Sequence, residues 1–549
     1  MNTARIYSLS ETAISIEFGE SIDDTIHQRV MELNGSIQQN PFPGFIESVP
    51  AYTTLTIYYQ PELIDSTISS PFVHVKNYVE SLIIDLKAGA RNAEKIISIP
   101  VCYDDEFGYD LGFIASNSKL NKQQVIDIHQ REMYKVYMMG FLPGFAYMGS
   151  VDDAIAAPRQ QSPRAQVEEG SVGIAGKQTG IYPLTSPSGW QVVGRTPLCL
   201  FDLQKTDPFL FKTGDMVKFF PIGKDEFHKI KSEQIRIEKI KDENIADVIV
   251  MKPGIYSTIQ DGGRWKYQSY GVPVSGAMDR SGYQIANALA GNNKNAACIE
   301  CTMGGLQLQF KKNAVVAITG AGSAFVNGQN IRSWQPLSVS KNDVLEIRYN
   351  NDGLRTYVAV KGGFDSTQIM NSRSVYPKAG IGEPLKKEQR LQFGNMLSEH
   401  PKRITESLSL PSYYSNALIR IIAGPENKWM NPESIQQISS QTFTLSNQCD
   451  RMGYQLKGEP LSLIEPKELI STAVTMGTVQ LTPSGQLIVL MSDCQTTGGY
   501  PRVAQVAAVD LSTLAQLKPG DTVRFSNISF QQAEALYLLE QKKLNEYFH

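Results

Sequence analysis

Polar residues able to do chemistry concentrate in four glycine-punctuated loops of this 549-residue chain. APRQQSPRAQVEEGSVGIAGKQTGIYP sets Arg159, Arg164, Lys177, Gln178 and Tyr182 around tight turns. SDCQTTGGYPR (492–502) sets Asp493, Thr496, Thr497, Tyr500 and Arg502 just beyond the apolar run QLIVLM. Arginine forks suit a carboxylate or a phosphate, backbone N–H groups freed by glycine can form an anion nest, and rigid β-scaffolds usually carry function on loops at strand ends. QDGGRWKYQSYGVPVSGAMDR (260–280) adds Asp261, Arg264, Tyr270, Asp279 and Arg280, and NQCDRMGYQLKG (447–458) adds Asp450 and Arg451. These two are binding-loop candidates without an assignable reaction, and for each loop the alternative is plain turn chemistry.

His129 stands out among six scattered histidines, because HQREMYKVYMMG runs straight into GFLPGFAYMG. There glycines and Pro143 force a loop past Phe141, Phe145 and Tyr147, rings that either pack in a core or line a pocket. A solitary His on a helix is also what a surface or capped residue looks like. Two familiar chemistries fail on spacing. GSVGIAGKQTG (170–180) has five residues between Gly170 and Gly176 and Gln178 after Lys177, where a phosphate loop needs four and then Ser or Thr. Cys298 and Cys301 form one CxxC with no second pair, so no metal site is expected.

Helical patterns that could position these loops are few: Asp65 to Lys87, Asn121 to Met139 with Asn121 as N-cap, Ser281 to Ala290, and QQAEALYLLEQKKLNEYF at the C-terminus. The remainder reads as short strands such as AVVAITGAG, VLEIRYN, TYVAVKGG, LIRIIAG and QLIVLMSD, rich in β-branched residues and ending at turn formers. The chain also resembles itself. GIYPLTSPSGWQVVGRTP, then Asp202-Leu203, then TGDMVKFF is followed in the second half by GTVQLTPSGQLIVL, Asp510-Leu511 and PGDTVRFS, with a fainter third copy at SKNDVLEIRY (340–349). In both main copies alternate residues, Val217 and Phe219 or Val523 and Phe525, must share one face.

At about 150 residues per domain the length predicts three to four folding units. A formal charge of −3 lacks the basic footprint of a nucleic-acid binder. No apolar run reaches a membrane span, the N-terminus carries no signal-peptide core, and six cysteines are too few for a disulfide scaffold, so a cytoplasmic location is expected.

The run from His129 through GFLPGFAYMG, GSVGIAGKQTGIYP and TGDMVKFF resembles the family of the 5-oxoprolinase B subunit, or carboxyltransferase subdomain C/D. MKPGIYSTIQDGGRWKYQSYGVPVSGAMDR, CDRMGYQLKG and SDCQTTGGYPRVAQV resemble the C subunit of the same system, or subdomain A/B. The resemblance implies a natural fusion of B and C, mainly β with cyclophilin-like barrels and smaller α/β subdomains. The expected division is a small α/β subdomain at 1–95, a barrel at 96–222, a charged linker at 223–247, a second half of about two β-rich units at 248–530, and a C-terminal helix at 531–549.

It also implies ATP-dependent opening of 5-oxo-L-proline to L-glutamate together with a separate 5-oxoprolinase A subunit, with ATP and Mg as the energy source and homo-oligomers possible. On that reading Arg159, Arg164 and Lys177 clamp carboxylate or phosphate, His129 is a candidate acid or base alongside Lys177 and Asp493, and the loops around Asp450, Asp493 and Thr497 complete the second half's site. Two alternatives come with the same families: a biotin-dependent carboxyltransferase component acting on urea or a related amide, and a non-enzymatic regulator of a histidine kinase. An ATP-binding carboxylase domain and a Met-Lys-Met carrier are missing from the sequence, so no covalent biotin is expected on this chain.

Overall fold

The computed structural model describes residues 4–548 except 66–68, 86–94, 161, 234–245, 395–415 and 468. The molecule is mostly β and carries two barrels. An N-terminal antiparallel sheet runs in the order Arg5–Ser10, Ala13–Glu17, Thr54–Tyr59, Phe45–Pro50. Its alternation buries Ile14, Ile16, Leu55 and Ile57 against helices Asp24–Gln39 and Pro71–Asp85, where Val30, Leu33 and Val75 lie on the inner faces.

The first barrel orders Gln191–Arg195, Ser171–Ala175, Gln178–Ile181, Ala146–Gly149, Met133–Met139, Met216–Pro221 and Ile96–Val101. It closes through two hydrogen bonds between Cys102 and Arg195, at 2.8 and 2.9 Å. The second orders Arg502–Val506, Thr478–Leu481, Leu487–Leu490, Gly453–Lys457, Thr442–Leu445, Thr522–Asn527 and Asn416–Ala423, and closes by direct pairing of its end strands. Strand for strand the two orders coincide. In each, the run after Gly-Asp lies parallel to the barrel's first strand and antiparallel to its second, with Val217 and Phe219, or Val523 and Phe525, buried inside.

The internal repeat is therefore real, but the two copies are partly out of step. Pro483-Ser484-Gly485 turns a true hairpin between Thr478–Leu481 and Leu487–Leu490. The first half's Pro187-Ser188-Gly189 lies elsewhere, since Ser186–Ser188 pairs with Arg164–Val167, and the equivalent hairpin turns at Gly176-Lys177. Small turn residues recur wherever strands reverse, which is why they mislead. The third copy is no copy: Val344–Arg348 has antiparallel neighbours on both sides and no parallel partner among the described residues.

Between the barrels, residues 248–393 form a seven-stranded and a five-stranded sheet, with helix Arg280–Ala290 on the latter. Helix Lys122–Arg131 keeps its Asn121 cap, yet it stops well short of Met139 because Met133–Met139 is a barrel strand whose Tyr134, Val136 and Met139 fill the core. Tertiary pairing overrides a helical pattern here. The charged segment begins as helix Lys224–Glu233, and the Phe227 ring packs tilted against Phe107 at 4.5 Å, so its start belongs to the first half. Among the described residues no helix is long and apolar enough to cross a membrane.

The halves are tied by buried polar contacts. Glu47 accepts from the backbone N–H of Lys266 (2.8 Å) and of Gln268 (3.0 Å), and Arg502 donates both to Glu426 (2.8 Å) and to the hydroxyl of Tyr7 (3.0 Å). Glu11 is fully buried and accepts from Ala508 N–H (2.8 Å), while its second oxygen has no partner among the described residues. Burial pushes its carboxyl up to about 7. A group that binds its proton more tightly when folded gives its full stabilisation below the unfolded value near 4.5 and loses it as pH rises through 7. The expected loss is about 3 kcal/mol between about pH 4 and 8. Glu11→Gln should flatten that slope in urea titrations run across the range, and an unchanged slope would contradict the assignment.

Candidate functional site

Where the halves meet, two features lie along one interface: an aromatic and hydroxyl-rich seam, and an open cleft. The seam is built by GFLPGFAYMG. Phe141 sits at φ 64°, a strained conformation for a bulky residue, and its N–H donates to Thr497 Oγ1 at 3.2 Å. Gly140 is obligatory, because a Cβ there would lie 2.1 Å from that same oxygen. Phe145, Tyr147, Tyr182 and Trp190 pack edge to face beneath the loop, and the Tyr147 hydroxyl lies near those of Thr497 and Ser471 in the second half. Arg159 is exposed and takes no carboxylate among the described residues. The buried Tyr52 hydroxyl, Thr496 Oγ1 and Gln178 Oε1 lack partners among the described residues. Tyr500 lies exposed at the rim.

Several expected site residues have structural duties instead. His129 is fully buried in the first barrel, with Nδ1 2.9 Å from Tyr103 Oη, Nε2 3.2 Å from Thr179 Oγ1, and its ring stacked on Phe219. Desolvation pushes its pKa down to about 3, so it stays neutral and sealed from solvent, and the expected acid–base role is withdrawn. His129→Gln should cost about 1–3 kcal/mol through lost packing and hydrogen bonds. Activity per folded molecule should stay within about twofold of wild type, as paired urea-unfolding and turnover measurements would reveal.

Arg164 is committed to Asp110 through two bonds at 2.8 and 2.6 Å. Lys177 forms an exposed pair with Asp153 (2.6 Å), and Asp450 an exposed pair with Lys378 (3.0 Å). The glycine-rich segment offers no phosphate cradle. Gly170 N–H donates to Tyr182 O and Gly176 N–H to Ala157 O, both at 2.7 Å, and the strands flanking Gly176 and Lys177 pair with each other. ATP with Mg, implied by resemblance, does not fit there. Cys298 and Cys301 are buried core residues of one strand.

The cleft, about 900 Å³, is walled by both halves. Residues around 261–266 and 276–281, the segments 293–297 and 362–365 and the C-terminal helix Phe530–Glu546 contribute to it, facing Thr12, Phe45 and Glu62 of the first half. Asp261 is spent on its turn, accepting from Ser372, Ser374 and the N–H groups of Gly263 and Arg373 at 2.6–2.9 Å. Arg451 holds the wall from behind. It grips Asp493 through two bonds (2.8 and 3.0 Å), Gly276 O (2.7 Å) and Glu300, which in turn accepts from Met278 N–H and the Tyr357 hydroxyl, both at 2.8 Å. Burial alone would raise the Glu300 pKa, and the guanidiniums of Arg451 and Arg355 more than reverse it, holding the carboxyl below its ordinary range. Asp493 is thus a positioning residue.

Arg280 and Glu540, on the cleft wall, each keep hydrogen-bonding capacity for a ligand. Arg280, in the first turn of helix Arg280–Ala290, is open to the cleft and pairs with no carboxylate among the described residues, although the dense protein around it lowers its pKa. Glu540 accepts from Ser281 Oγ at 3.0 Å; burial, reinforced by the charges of Asp279 and Asp510, pushes its pKa up to about 7. Arg280 was visible in the AMDR run. Glu540 was not singled out, although Tyr537, Glu540 and Gln541 at helical spacing give the C-terminal helix a polar stripe that lines the cleft.

This architecture defines a carboxyltransferase-domain protein. The domain's subdomains C and D match residues 4–211, and subdomains A and B match residues 270–527. The chain is 44% identical over 233 residues to the 5-oxoprolinase B subunit of Bacillus subtilis, covering 42% of this chain and 97% of that protein. It is 35% identical over 289 residues to the 5-oxoprolinase C subunit of Escherichia coli, covering 52% of this chain and 92% of that protein. It belongs to the families of the 5-oxoprolinase B and C subunits, joined in one polypeptide. The crystal structure of TTHA0988 superposes with a TM-score of 0.81 at 29% identity, over 94% of this chain and 100% of that one. Kluyveromyces lactis urea carboxylase shares the fold at 19% identity, with a TM-score of 0.50 over 73% of this chain and 39% of that one.

Proposed function

We propose that this chain is the lactam-binding component of an ATP-dependent 5-oxoprolinase, which opens 5-oxo-L-proline to L-glutamate together with a separate A subunit. The observation that carries the reading is the cleft between the B-like and C-like halves, where an unpaired guanidinium and a carboxyl titrating near neutrality share one wall. Arg280 takes the substrate carboxylate in a charge-assisted pair. Ring opening adds water across the C–N bond, and the departing ring nitrogen needs a proton as that bond breaks. Glu540, partly protonated at neutral pH, delivers it. ATP hydrolysis supplies the driving force for opening an unstrained amide, and its site is assigned to the A subunit or to the surface where that partner docks.

Mixing the purified chain with the A subunit, ATP and 5-oxoproline tests the reading. The expected result is glutamate formed in step with ATP consumption. Glutamate formation that fails in the complete mixture would overturn it, and turnover requiring biotin and bicarbonate would transfer the site to carboxyl transfer.

A further inference from the structure

A second pocket of about 570 Å³ lies in the unit formed by residues 248–393. It shares Asp365 and Arg373 with the inter-half cleft, so the Asp365–Arg373 pair (2.7 Å) stands between the two spaces. Its wall includes Arg264, a fully buried guanidinium. Arg264 Nε donates to Ile369 O at 3.1 Å and Nη2 to Ser374 O at 2.6 Å, both neutral acceptors. Nη1 has no partner among the described residues, and Arg264 forms no ion pair there. Ser366, also on the wall, has a buried hydroxyl equally without a partner.

The nearby carboxylates are occupied. Asp365 holds Arg373, Glu383 holds Lys386, Glu388 lies 3.9 Å from Lys387, and Asp261 is filled by serine hydroxyls and backbone N–H groups. A buried cation without a carboxylate in contact is costly, and buried donors without acceptors add to that. Burial lowers the Arg264 pKa by more than the nearby charges of Asp261 and Asp493 raise it, and neither carboxylate is in contact with the guanidinium. Cationic side chains outnumber acidic ones around the pocket, five to three.

We propose that this pocket is a second binding site, distinct from the cleft, for a small organic anion whose carboxylate or phosphate oxygens accept from Arg264 Nη1 and Ser366 Oγ. The anion supplies the direct ionic contact that Arg264 lacks among the described residues. The volume exceeds what an inorganic ion fills, so the natural ligand is of metabolite size. The inference does not rest on the oxoprolinase reading.

Calorimetric titration of the full chain with succinate and, separately, with inorganic phosphate at constant ionic strength is the test. Saturable binding of one ligand per chain is expected, and the probe that binds identifies carboxylate or phosphate chemistry. Ser366→Ala, which removes a hydroxyl without a partner among the described residues, should weaken binding about tenfold. Arg264→Met should abolish it, and Arg280→Ala in the cleft should leave it unchanged. Should Arg264→Met fail to fold, Ser366→Ala decides. Absence of saturable binding with both probes, undiminished binding in Ser366→Ala, or loss of binding in Arg280→Ala would each overturn the proposal.

Discussion

Glu540→Gln lowers turnover of 5-oxoproline by the reconstituted complex about 10²- to 10⁴-fold while leaving KM near its wild-type value. The amide keeps the carbonyl that accepts from Ser281 Oγ, so the helix position and the cleft survive, but no proton can be passed to the ring nitrogen. The pH profile gives the sharper discrimination. With its pKa pushed up to about 7, Glu540 acts as an acid only while protonated, so wild-type kcat should fall as pH rises through that value. That limb should vanish from the residual activity of the variant. Arg280→Met is the complement: it removes a contact made equally in ground and transition states, so KM rises and kcat stays. Full activity in Glu540→Gln with circular dichroism unchanged would remove Glu540 from the mechanism.

Arg451→Met destabilises the second half by about 3–5 kcal/mol. Arg451 is 7% exposed and faces Glu300 and Asp493 at 1% and 4%, so truncation removes the cation from two buried carboxylates; Glu300 keeps its two neutral donors and Arg355 at 3.7 Å. Two signatures separate this from simple loss of packing. The penalty shrinks as pH falls, because the stranded carboxylates can then protonate. Adding Asp493→Leu recovers part of the loss, because it removes one of the stranded charges. Urea unfolding of the four corners of this cycle is the measurement, and a single-variant loss below about 1 kcal/mol would show that the network carries little energy. The cleft should suffer as well, since Arg451 holds Gly276 O and, through Glu300, Met278 N–H in the wall beside Arg280.

Some of this was legible residue by residue. The Asn121 cap, the C-terminal helix and the alternation of Val217 with Phe219 follow from local chemistry, and the structure keeps them. Met133–Met139 did not, because its strand state depends on pairing with Ala146–Gly149 and Met216–Pro221, the latter far along the chain. The turn at Pro187-Ser188-Gly189 misled for the same reason: its pairing partner lies outside the copied segment.

The site divides along the same line. The order of amino acids alone settles which loops are rich in Arg, Asp, Thr and Gly, and through those loops the two families and their succession in the chain. It cannot say which charges are already taken. Arg159, Arg164, Arg264, Arg280 and Arg451 are equivalent as letters, yet Arg164 and Arg451 are locked to carboxylates, Arg264 is buried against carbonyls, and Arg159 and Arg280 are left open. Availability for a ligand depends on burial and on partners from distant segments. Asp110 meets Arg164 across 54 residues and Glu300 meets Arg451 across 151, separations that only the folded chain closes.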